Sequence, residues 1–167
     1  MELTRFTKTQ FNIDSNLVNG SICIRPFAAE LAEFLNENNI DYAFWTTQGE
    51  KKAEESFEAL KKFGFINAKF LWKRDKCKNG YIKDLSVVAE NFPEYNSNNI
   101  IIVDDSDHKI INRDRFIKIS SFNIYSVSYD DRLVILRDYI KRLLKNIKEN
   151  KFDNGASFMK NFAFNFC

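Results

Sequence analysis

Four separated stretches of the chain carry residue types able to hold a phosphate beside a divalent cation. Asn12 and Asp14 close a strand-like run, Thr46 follows a second, and Asp104-Asp105 follow the run Asn99-Ile100-Ile101-Ile102-Val103; Lys83 comes after a basic loop. Carboxylates suit a hard cation such as Mg²⁺, while a hydroxyl and an ammonium suit phosphoryl oxygens. Each residue also has a plainer reading. Asn12 and Asp14 are equally a polar turn after a strand. Asp104-Asp105 can cap the next segment, Thr46-Thr47 can be a helix start, and Lys83 alone reads as a solvated surface lysine.

The elements that must position these residues alternate between strand and helix. Thr9–Ile13 reads as a short strand ending in Asp14-Ser15-Asn16, and Ser21–Ile24 as a second extended run. Arg25-Pro26 opens a helix with Phe27, Leu31, Phe34 and Leu35 on its apolar face, and the Asn-rich 36–39 segment ends it. Ile40–Trp45 has the apolar run of a strand buried on both faces. Thr47-Gln48-Gly49-Glu50 has capping-box spacing, with Thr47 as the cap, before a helix that buries Ala53, Phe57 and Leu60 and stops near Gly64. Ala68–Leu71 reads as a strand, and Asp84 caps a short helix through Leu85, Val87 and Val88. Asn99–Val103 is the central strand and Phe116-Ile117 a weaker one. Leu133, Leu136, Ile140, Leu143 and Ile147 form one stripe of a terminal helix. This alternation predicts an α/β fold with a largely parallel sheet layered on both faces, whose ligands bind beyond the carboxyl ends of the strands.

Bulk composition narrows the class. The 167 residues are 44% hydrophobic and 29% charged, enough for one globular domain over residues 1–150, with 151–167 as a tail of uncertain structure. A net charge of +2 does not by itself point to nucleic acid or a membrane surface. Cys23, Cys77 and Cys167 lack metal-like spacing, and no apolar run approaches membrane-spanning length. The expectation is a reduced protein of the cytoplasm, or of the nucleus in a eukaryote. His108, the sole histidine, reads as structural or solvent-facing, and Trp45 and Trp72 as core or pocket wall. The loop Lys73–Lys78 is either solvated or a contact surface for a phosphorylated partner.

Taken in order, these stretches resemble a known family. Phe11-Asn12-Ile13-Asp14-Ser15-Asn16-Leu17-Val18 looks like the D-x-D-x-T-L-V signature of haloacid-dehalogenase phosphatases. Arg25-Pro26, Phe44-Trp45-Thr46-Thr47, Tyr81-Ile82-Lys83-Asp84-Leu85 and Ile102-Val103-Asp104-Asp105-Ser106 follow. The series, from about residue 8 to 145, is similar to the NLI-interacting-factor-like small phosphatases that act on the RNA polymerase II C-terminal domain. The resemblance implies a Rossmann-like three-layer α/β domain with a central, mostly parallel sheet. It further implies Mg²⁺ as cofactor and phosphoserine or phosphothreonine protein as substrate, with hydrolysis through an aspartyl-phosphate. Carried over, Asn12 stands at the nucleophile position, Asp14 is the acid/base, and Thr46 and Lys83 bind phosphate. Asn12, Asp14, Asp104 and Asp105 make the metal site.

The departure from that pattern lies at Asn12, with Asn16 where the signature has Thr. A neutral amide is a poor nucleophile and forms no such covalent intermediate. The sequence therefore predicts an inactive or severely impaired phosphatase, whether through an introduced change or as a natural pseudophosphatase. A non-catalytic binding module is the alternative class. A nucleic-acid end phosphatase is a third, disfavoured because a phosphate-tracking groove needs a concentrated basic stripe.

Overall fold

Helical spacing of small and apolar side chains sets the first helix. In α1, Ala28–Glu37, the buried residues Ala28, Leu31, Ala32 and Leu35 lie on one face. The expected start at Arg25-Pro26 is displaced, because Phe27 is the N-cap with φ 63°, a left-handed conformation that lies outside the helix. Phe27 thereby leaves the apolar face, and Phe34 is half-buried. The Asn-rich segment does stop the helix. Asn39 takes φ 50°, its N–H donates to Asn36 O at 3.2 Å, and Ile40 N–H donates to Leu35 O at 2.9 Å. These are the paired reverse bonds of a left-handed C-terminal cap.

The computed structural model describes residues 22–123 and 130–149. The expected strand at 9–13, Asn12, Asp14 and the 151–167 tail lie outside them, and residues 22–24 form no strand. The chain divides into two units, Met1–Arg74 with Phe122–Arg137 and Asp75–Ser121 with Asp138–Cys167.

In the first unit β1, Phe44–Trp45, pairs in parallel with β2, Leu71–Trp72. Backbone bonds from Lys69 N–H to Tyr42 O at 2.9 Å and from Thr46 N–H to Trp72 O at 2.9 Å extend the ladder at both ends. Aromatic packing supports it. Phe44 meets Phe65 edge-on at 5.4 Å, and Trp72 stacks on Phe70 at 4.3 Å. Helix α2, Glu50–Lys61, follows β1, but its N-cap is Gly49, with no side-chain cap. The Thr47 capping box does not form: the helix is capped two residues on, at Gly49, and the Glu50 carboxylate that would reach back to Thr47 N–H binds Lys73 Nζ at 2.9 Å instead. Ala53 and Ala59 are the buried residues of α2, whereas Phe57 and Leu60 are half-buried. Gly64 ends this region at φ 93°, where a Cβ would come within 3.3 Å of Ala32 Cβ.

In the second unit Asp84 caps α3, Leu85–Asn91, as its side chain accepts from Ser86 N–H at 3.1 Å. Strand β3, Ile102–Asp104, pairs in parallel with β4, Phe116–Lys118, with Asp104 opposite Lys118. Part of the basic loop is a tight hairpin: Lys78 and Ile82 form an antiparallel bridge across Asn79 and Gly80, both at positive φ. Cys77 beside it is buried. Helix α4, Arg132–Lys148, has residues in both units and buries Leu136, Tyr139, Ile140 and Leu143; the stripe read from sequence lacks Tyr139. Short parallel strands with helices between them make the chain α/β. Among the described residues no helix is long and apolar enough to cross a membrane.

One ion pair in the first unit stands out by burial. Arg25 NH2 lies 2.9 Å from Asp130 Oδ2, with the side chains 13% and 7% exposed, and Asp130 Oδ1 also accepts from Arg132 N–H at the start of α4. Asp130→Ala strands the guanidinium in that setting and is expected to lower the unfolding free energy by about 3 kcal/mol. Urea denaturation of the full chain checks this. A loss below about 1 kcal/mol would mean that the pair behaves as a surface one.

Candidate active site

A buried ammonium organises the polar end of β3. Lys83 is 7% exposed, and its backbone lies against residues 109–111: Lys83 N–H donates to Lys109 O at 2.7 Å and Ile111 N–H donates to Lys83 O at 3.2 Å. A cation buried this far needs a partner, and Lys83 Nζ has one in Asp104 Oδ2 at 2.5 Å. The other oxygen, Asp104 Oδ1, accepts from Ser106 N–H at 2.8 Å, a turn that holds the carboxylate at the strand's end. Lys83 is therefore no solvated surface lysine.

The adjacent carboxylate has a different setting. Asp105 is exposed, with Oδ1 accepting from Ser106 Oγ at 2.9 Å and Oδ2 from Ser121 Oγ at 2.8 Å. Partial burial works to raise its pKa, but hydrogen bonds from Ser121 and Ser106, contact with Asp104 and the charge of Lys109 outweigh it and hold the carboxyl below its ordinary value. Two residues on, Asp107 is likewise held low, chiefly by Lys118 with Nζ at 3.5 Å. His108 beside it is exposed and solvent-facing, as read from sequence.

Of the residues singled out in the sequence, Lys83, Asp104 and Asp105 come together in one unit. Thr46 belongs to the other unit, at the end of the β1 ladder, where its Oγ1 accepts from Gln48 N–H at 3.1 Å. A hydroxyl accepts with a lone pair and grips a phosphoryl oxygen with its proton. Asn12 and Asp14 lie outside the described residues. Trp72 is buried and Trp45 half-buried; they meet edge-on at 5.0 Å, as core residues do. Sequence reasoning missed Ser106 and Ser121. Ser106 was visible as the residue after the acidic pair, whereas Ser121 reaches Asp105 through the β3–β4 pairing and has no local signature.

Oxygen donors on ionised carboxylates fit a hard divalent cation, and Asp105 supplies one facing solvent. Asp104 fits less directly, because its charge is already spent on the buried Lys83 ammonium. Among the described residues no group of three or more His, Cys, Asp or Glu side chains gathers at metal-binding distance. Asp105 would thus need ligands from residues beyond those described, and Asn12 and Asp14 are the sequence's candidates.

Asp104→Ala leaves the Lys83 ammonium buried alone and is expected to destabilise the chain by about 3 kcal/mol or more. The double change Lys83→Met with Asp104→Leu is expected to cost less, and a denaturation cycle over the unaltered chain, Lys83→Met, Asp104→Leu and the double variant measures the coupling. Asp105 predicts a pH effect of definite sign. Its folded pKa lies below the unfolded one, so its stabilisation is present above about pH 4 and is lost as pH falls through the folded value. Thermal melts below about pH 4 should fall more steeply for the unaltered chain than for Asp105→Asn.

Comparison with known proteins adds the family. No curated protein matches the chain, and no solved structure does. The family model for NLI interacting factor-like phosphatases matches residues 2–152, a span that takes in all four stretches as well as Ser106 and Ser121. The chain belongs to the NLI interacting factor-like phosphatase family, haloacid-dehalogenase-like proteins of phosphatase type.

Proposed function

We propose that the chain has the architecture of a Mg²⁺-dependent phosphoprotein phosphatase for phosphoserine or phosphothreonine, impaired in this sequence by Asn12. The observation that carries this reading is the buried Lys83–Asp104 pair with the ionised Asp105 beside it. The proposed domain spans residues 1–150, with a Rossmann-like three-layer arrangement around a central, mostly parallel sheet and 151–167 as a tail. The family match over residues 2–152 and the two parallel strand pairs support that layout.

In this reading Lys83 Nζ and Thr46 Oγ1 donate to phosphoryl oxygens, where charge concentrates as the phosphoryl group transfers. Asp104 fixes the lysine by charge. Asp14 gives a proton to the leaving oxygen and later takes one from water. Asp105, with Asp104, Asn12 and Asp14, would hold Mg²⁺, which when bound neutralises phosphoryl charge. Asn12 cannot do what an aspartate does there. Its amide nitrogen lone pair is delocalised and its carbonyl oxygen carries no full charge, so no acyl phosphate forms. A protein that keeps the phosphate grip without the nucleophile would act as a binding module for phosphorylated segments. Asn12 itself favours that second reading.

Restoring the nucleophile separates them. Asn12→Asp, with and without Asn16→Thr, is expected to raise Mg²⁺-dependent hydrolysis of p-nitrophenyl phosphate by about 10³-fold or more over the unaltered chain. Folded variants that stay inactive would leave the binding module as the function. A salt-sensitive gel shift with oligonucleotides would instead favour nucleic-acid ends.

A further inference from the structure

Two cations from different segments face one oxygen of Asp107. Lys118 Nζ lies 3.5 Å from Asp107 Oδ2, and Arg113 NH1 lies 3.9 Å from the same atom. Both distances exceed the roughly 2.7–2.9 Å of a charge-assisted hydrogen bond. Among the described residues neither cation pairs with another carboxylate. Asp107 Oδ1 accepts from His108 N–H at 2.9 Å, so a single carboxylate oxygen answers two full positive charges. Lys118, Arg113 and Asp107 have side chains 55%, 56% and 49% exposed, which leaves the excess charge open to solvent. The cations are nevertheless held in place. Arg113 sits over the Phe116 ring, 5.9 Å from its centroid, and Lys118 belongs to the β3–β4 pair.

This patch adjoins the candidate site. Lys118 stands opposite Asp104 in the strand register, and Lys109 gives its carbonyl to Lys83 N–H and its charge to Asp105. A group that neutralises Arg113 and Lys118 together must be compact and carry more charge than one carboxylate. A phosphate monoester does both, with about −1.5 to −2 at pH 7 and three acceptor oxygens, two of which suit a guanidinium fork. The Asp107 charge between the cations repels the continuous phosphates of a polynucleotide and suits an isolated one on a peptide. We propose that Arg113 and Lys118 dock a second phosphate of the protein segment whose first phosphate Lys83 grips, so that the preferred partner is a multiply phosphorylated segment. The inference rests on the phosphoprotein reading for the first phosphate, uses residues of one unit and asks for no metal. On docking, NH1 and Nζ turn from Asp107 Oδ2 to phosphoryl oxygens.

Anisotropy titrations of the full chain with labelled phosphoserine peptides test this, one peptide carrying a single phosphate and a series adding a second at successive positions on either side. The tightest of the series is expected to bind about 10-fold better than the singly phosphorylated peptide. Arg113→Ala with Lys118→Ala is expected to erase that gain while leaving the singly phosphorylated peptide within about twofold. Asp107→Asn removes the competing charge but keeps an acceptor for His108 N–H, and is expected to tighten the doubly phosphorylated peptide by about threefold. A merely structural patch gives no such opposite signs, and melting temperatures of the variants should agree within about 2 °C. If one phosphate strengthens binding and a second adds nothing at any position, the docking site falls and the phosphoprotein reading stands. If no phosphate strengthens binding, both fall. An oligonucleotide of equal charge that binds more tightly than the best peptide would overturn the peptide as partner.

Discussion

A lysine ammonium taken out of water is the constraint around which the second unit is built. Its desolvation costs several kcal/mol unless a carboxylate meets it, and Asp104 does so at 2.5 Å. That single requirement ties three stretches together. The hairpin that ends at Ile82 delivers Lys83, the strand β3 ends on Asp104, and residues 109–111 bracket the Lys83 backbone through two hydrogen bonds. With Lys83 and Asp104 fixed, Asp105 and Ser106 follow with little freedom left. The site is thus set by charge neutralisation within the fold before any ligand arrives.

The first unit solves a different problem by different means. Its candidate residue, Thr46, is a hydroxyl, which brings no charge to neutralise, so position comes from packing. Tyr42, Phe44, Phe57 and Phe65 meet one another edge-on or tilted, and Trp45 and Trp72 cross edge-on one step along the ladder. Rings of this size hold the β1–β2 register through many small contacts. Thr46 closes that ladder through its N–H to Trp72 O, so its backbone is placed by aromatic residues that have no chemical role themselves.

What could be read from sequence depended on whether the cause was local. The stripe of α4, the Asn-rich stop of α1 and the Asp84 cap of α3 all arise within a few residues, and each is present. The Thr47 cap failed because the Glu50 carboxylate is taken by Lys73, more than twenty residues away, and the helix starts from Gly49. Phe27 left its predicted face because its backbone turned left-handed ahead of the helix, which a count of apolar spacing does not register. In the site, Lys83, Asp104 and Asp105 were found as types in a motif order, but the burial of Lys83 was not. The stretch before it is basic and polar, and Lys83 goes inside through the bridge to Ile110 and the ion pair with Asp104, neither of them local in sequence.

The two halves of the acidic pair carry different weight as evidence for chemistry. Asp104 is explained without any ligand, since a buried lysine needs it whether the protein turns over phosphate or not. A chain with asparagine at the nucleophile position would still unfold more easily without that pair, so its presence does not separate a working phosphatase from an idle one. Asp105 is another matter. It neutralises no buried charge, and its two hydroxyl partners lie where water would serve as well. Those bonds hold its carboxyl below the ordinary value, so what it adds to stability is lost when acid protonates it. Any cation ligand this unit offers is thus Asp105 rather than Asp104, whose charge the buried lysine already takes.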